Sequence, residues 1–223
     1  MRLLPLLLFP VLLVSPAASR SADVAEHTSL STISLERLDS ILPSGTHLLI
    51  ERKAIEAFLA ALDGTPPDWL AVYGQGHHDP GHDERLFNLN RERDAVREGN
   101  PILTRQVAFV WSGELSQFDR QAKGYPVSIG PEFNQTSWGI VRFKPEEAPG
   151  NLRVMPHSTL VGAINRRLVA HKKVEVFVVM TGALIPSESI VYDFSHEEEG
   201  RGLIMPVVRV ERVDVLLKGR LAY

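Results

Sequence analysis

VEVFVVMTGALI (residues 174–185) and LIMPVVRVERVDVL (residues 203–216) decide the architecture of this chain. In the first, Val174, Val176, Val178, Met180 and Leu184 share one parity, and Phe177 and Val179 make the other parity apolar as well. A strand sends alternate side chains to opposite faces, so this pattern predicts a central strand covered on both. In the second, Val208 and Val210 stand on one parity, Val213 and Val215 on the other. The switch predicts a β-bulge near Glu211-Arg212. Ser189 to Asp193 adds a shorter strand between them, and the last strands are expected to pair.

The β texture extends back to residue 101. Val107-Ala108-Phe109-Val110-Trp111 is rich in branched and aromatic residues, and Tyr125–Ile129, Ser137–Phe143 and Leu152–Met155 are shorter runs separated by Gly, Pro and Asn turns. The segment from Val107 to Leu115 echoes that from Val176 to Leu184: each is an apolar strand followed by a hydroxyl residue, Gly, any residue and Leu. Similar bends select similar residues, and Gly inside a strand marks such a bend. One helix interrupts the strands, Thr159–Ala170, with Leu160, Val161, Ile164 and Leu168 on its apolar stripe.

Upstream, the period changes to that of helices. Ser34 precedes Leu35, Leu38, Ile41 and Leu42 at helical spacing, and Pro43-Ser44-Gly45 ends the run. His47–Ile50 is a brief strand candidate. Arg52–Leu62 places Ile55, Phe58, Leu59 and Leu62 on one face before Gly64. Asp68–Tyr73 is too short for period to separate helix from strand, and Asp83–Glu98 reads as a helix with a dense charged face. The fold expected is α+β: N-terminal helices packed on a bent antiparallel β-sheet or small partly open β-barrel. Residues 33–100 form its mainly helical part and 101–223 its β-rich part, within a single compact domain.

The first residues carry an address. Arg2, the apolar run Leu3–Val14 and the small residues Ser15-Pro16-Ala17-Ala18-Ser19 have the three-part layout of a signal peptide over residues 1–19. Pro5 and Pro10 interrupt the run, which is too short for a membrane span of about 20 residues. Cleavage is expected between Ala18 and Asp23, with residues 20–32 as a flexible leader and a periplasmic or secreted location. The chain has no Cys, which removes disulfides, thiolate zinc cages and thiol nucleophiles. A formal net charge of −3 gives no overall attraction to nucleic acid, and no later run is long enough to span a membrane.

Four places carry candidate chemistry. His77, His78 and His82, with Asp79, Asp83 and Glu84, offer ligands for a divalent metal, though their spacing matches no structural cage; Asp83 is also a candidate cap for the following helix. Trp111, Tyr125 and Trp138 could line a ligand groove, with Arg142 supplying a planar cation. Asp193, Ser195 and His196 are too close in sequence for a catalytic triad, whose members converge from separate elements. Glu114, Asp119, Glu132 and Asp193 could supply paired acids only if two of them face each other across a cleft. The expectation is an exported, non-enzymatic periplasmic binding or interaction protein, its partner a small ligand or an envelope protein. A metal-dependent or carboxylate-based hydrolase and a structural accessory of the envelope are the alternatives.

Overall fold

The computed structural model describes residues 28–75, 79–195 and 200–219. The described chain opens with β1 (Thr28–Ser31), a 3-10 turn (Leu35–Ser40), β2 (His47–Leu48) and three helices: α1 (Arg52–Asp63), α2 (Trp69–Tyr73) and α3 (His82–Arg97). A 3-10 turn (Pro101–Thr104) leads into β3 (Gln106–Leu115), β4 (Tyr125–Gly130), β5 (Asn134–Thr136), β6 (Gly139–Val141), β7 (Lys144–Pro145) and β8 (Arg153–Pro156). Helix α4 (Ser158–Val169) precedes β9 (Glu175–Leu184), β10 (Ile190–Phe194) and β11 (Gly202–Leu217). The fold is therefore α+β with most of its regular structure in strands.

Six strands close into a barrel in the order β1-β8-β4-β3-β9-β11, and β11 pairs back to β1. Four of its contacts are antiparallel, but β1 runs parallel to both neighbours, Leu30 lying opposite Pro156 on one side and Val215 on the other. The sheet is thus mixed rather than antiparallel, and closed rather than partly open. Closure comes from β1, within the segment whose polar composition predicts a leader, while the parallel pairs β2–β3, β6–β11 and β7–β11 add to the mixed character. Only Leu30 of these four residues is buried, so the strand has too little period to read.

Strands β3 and β9 form a long antiparallel contact, from Gln106 opposite Ala183 to Glu114 opposite Glu175. The sequence echo has a geometric counterpart here, because Val107 faces Gly182 and Gly113 faces Val176. Phe109, Trp111, Val178 and Met180 join the main core, whereas Ala108, Val110 and Val179 join a second cluster with Leu38 of the first 3-10 turn. Burial on two faces explains why these strands lack a polar parity. The bulge in β11 falls between Val210 and Arg212, as the change of parity predicts. At that point β11 approaches so closely that a Cβ on Gly182 would lie 1.9 Å from the Arg209 carbonyl oxygen.

The helices follow their sequence patterns with local differences. Helix α1 buries Ile55, Phe58, Leu59 and Leu62 in the main core. Asp68 caps α2 by accepting from the Ala71 amide, resolving the ambiguous segment as helix. Asp83 does not cap α3: Gly81 holds that position, and Asp83 lies within the first turn. The Leu35 segment is a 3-10 turn, with no side-chain bond from Ser34. Among the described residues, no helix is long and apolar enough to cross a membrane.

Candidate functional site

A concavity that combines apolar and polar groups is a groove of about 580 Å³. One wall is α4. Val161, Asn165, Leu168 and Val169 stand on one helical face, while Leu160, Ala163 and Ile164 turn into the protein. The floor is Tyr125 of β4 with Met155 and Pro156 of β8. The facing wall is the β3–β4 loop, which contributes Gln117, Phe118 and Arg120.

Local bonding fixes that loop. The Asp119 carboxylate accepts from the amides of Gln121 and Ala122 at 2.8 and 3.1 Å, and Asp119 bridges to Gly124 through the backbone. The Phe118 ring meets Tyr125 edge-on at 5.1 Å between centroids. Burial raises the Tyr125 hydroxyl pKa, and a 2.8 Å bond to Asn165 Oδ1 opposes that rise. This bond ties β4 to α4. Phe118, Met155 and Val169 remain 41 %, 44 % and 74 % exposed, so the apolar lining opens to solvent.

The lining contains no carboxylate, and Arg120 is its one formal charge. Arg120 has no ion-pair partner among the described residues, and the Asn165 amide nitrogen is likewise unbonded there. The site therefore combines apolar surface with unpaired hydrogen-bond donors. Such a lining can bind and orient a ligand.

Of the four residues expected to form a ligand surface, Tyr125 alone lines this groove. Trp111 and Trp138 are core residues, 6 % and 4 % exposed, each held through a neighbour. The Trp111 indole donates to the Phe143 carbonyl at 3.1 Å, and the Trp138 carbonyl accepts from the Trp69 indole at 2.6 Å. Trp69 itself needs Gly202, where a Cβ would fall 1.8 Å from the indole ring. Arg142 is half-buried, with its guanidinium 5.7 Å from the Phe133 ring centre. The structure does not gather the four onto one concave surface, because both indoles serve the packing of the barrel and its flanking strands.

His77 and His78 lie outside the described residues. His82 places Nδ1 2.9 Å from the Asp79 carbonyl oxygen and Nε2 3.1 Å from Asp83, with its ring beside Phe194. Among the described residues, no group of three or more His, Asp or Glu side chains is placed to hold a metal ion. His196 also lies outside the described residues. The four candidate acids are engaged separately: Glu114 with Lys173, Asp119 in its own turn, Glu132 with the Ser112 hydroxyl, and Asp193 with the Phe194 amide.

Sequence reasoning missed Phe118, Arg120, Met155 and Asn165. Met155 carries the clearest signal, a large apolar side chain on the parity opposite buried Val154 and Pro156. Phe118 and Arg120 stand in a loop, where no period identifies a facing wall. Comparisons with protein-family models, curated proteins and solved structures found no match for this chain.

Proposed function

We propose that this chain is an exported, non-enzymatic binding protein that holds a small, largely apolar ligand between α4 and the β3–β4 loop. The observation that carries this reading is the groove of about 580 Å³, within the roughly 300–1,000 Å³ common for small-ligand sites. Its polar groups are amides, a guanidinium and a phenol, suited to orienting a ligand. Exposed apolar side chains around the opening gain from being covered. Residues 33–100 are read as a layer on the barrel within one compact domain. That reading is supported by the core positions of α1 and by reciprocal Asn90–Tyr192 hydrogen bonds.

Titration with the neutral fluorophore Nile red tests the groove. One saturable site is expected, weakened about tenfold or more by Phe118→Ser combined with Val169→Glu, while the melting transition is retained. Unchanged binding in that variant would overturn the assignment. Export is supported by the three-part pattern of residues 1–19. Intact mass of the protein recovered from a periplasmic extract is expected to give a start between Ala18 and Asp23; a full-length mass there would oppose cleavage.

A further inference from the structure

The distribution of charge and donors specifies the ligand more narrowly, on the basis of the binding reading above. We propose that the groove selects apolar carboxylates, with the hydrocarbon body against Phe118, Met155, Leu168 and Val169 and the acid head toward Arg120 and Asn165. Arg120 is exposed and unpaired among the described residues. Its planar fork can give two parallel N–H bonds to a carboxylate, a geometry that a neutral hydroxyl cannot match.

Asn165 supplies the second element of selection. Its Oδ1 is occupied by the Tyr125 hydroxyl, which leaves the Nδ2 hydrogens as donors. An acid head brings acceptors to these donors and meets no carboxylate in the lining. A cationic head would face Arg120 instead. The same groove thus favours anionic over neutral over cationic amphipaths of equal chain length.

Calorimetric titration of the full chain with dodecanoate, dodecanol and dodecyltrimethylammonium, each kept below its aggregation concentration, separates these heads. Dodecanoate is expected to bind about five- to tenfold more tightly than dodecanol, as expected for one solvent-accessible charge-assisted contact, with the ammonium weakest. Arg120→Gln should bring dodecanoate to the affinity of dodecanol. Asn165→Asp retains an acceptor for Tyr125 but adds negative charge, and should weaken dodecanoate further while strengthening the ammonium. Equal binding of acid and alcohol by the unaltered protein, or a preference that survives Arg120→Gln, would overturn the carboxylate assignment and leave the groove intact. Failure of all three probes to saturate would overturn the groove reading as well.

Discussion

Arg97 is the most demanding residue in the described structure because its guanidinium is fully removed from water. It meets Asp63 through Nε at 2.6 Å and Nη2 at 3.1 Å, and its Nη1 reaches Asp94 and the Ile190 carbonyl at 2.8 and 3.1 Å. The Tyr192 hydroxyl also donates to Asp63, and burial, reinforced by the Asp63 charge, raises the hydroxyl pKa strongly. These bonds join the ends of α1 and α3 to β10. Arg97→Met should destabilise the fold by about 3–5 kcal/mol, because Asp63 would remain as an uncompensated buried charge. Adding Asp63→Leu should restore part of that loss, which urea unfolding of the single and double variants would measure. An additive double variant would mean that the pair is not energetically coupled.

At the scale of elements, two carboxylates hold connections, one between a helix and a strand turn and the other between α2 and α3. Glu56 on α1 accepts from the Ser137 amide in the β5–β6 turn at 2.6 Å and from Arg52 at 2.8 Å. These bonds, led by the Ser137 amide, lower its pKa to about 2. Asp79 ahead of α3 is also lowered to about 2, chiefly by Arg85 and then by the Gly81 and Gln75 amides. Since unfolding returns both groups to ordinary carboxylate values near 4, their stabilisation is present above that value and declines as pH falls towards 2. Melting temperature should therefore fall less between pH 5 and pH 2.5 in Glu56→Gln and Asp79→Asn than in the unaltered protein. The double variant should have the flattest dependence. Equal slopes in all four proteins would refute this contribution.

The same scale explains what can be read from the chain. The central strand, the bulge in β11 and the apolar faces of α1 and α4 were legible because repeated spacing reports which side is buried. Arg97 stands on the charged face of the α3 pattern, where helical spacing places Asp94 one turn away but cannot show that Asp63 of α1 meets its guanidinium. The indoles of Trp111 and Trp138 satisfy both core and ligand-surface patterns until their partners are known. Tyr125 reached the groove, but the facing Phe118 and Arg120 come from a loop fixed by Asp119. Their juxtaposition is a property of tertiary structure.

For the molecule as a whole, closure depends on the short β1 strand, which lies between β8 and β11 and inserts Leu30 into the core. Its backbone completes both ladders, so a four-residue element removes two strand edges at once. Deleting the chain through Ser31 should expose the facing edges of β8 and β11 and uncover apolar surface beside Val154 and Val215, giving concentration-dependent association. Leu30→Ala retains the backbone ladders while removing the buried side chain. It should cost about 2–5 kcal/mol without the same tendency to associate. Light scattering across a concentration series, with urea unfolding of the point variant, separates edge exposure from core loss. A truncated protein that stays monomeric with an unchanged unfolding midpoint would show that β1 is dispensable to the barrel. Association in the truncation alone would assign the closing role to its backbone pairing.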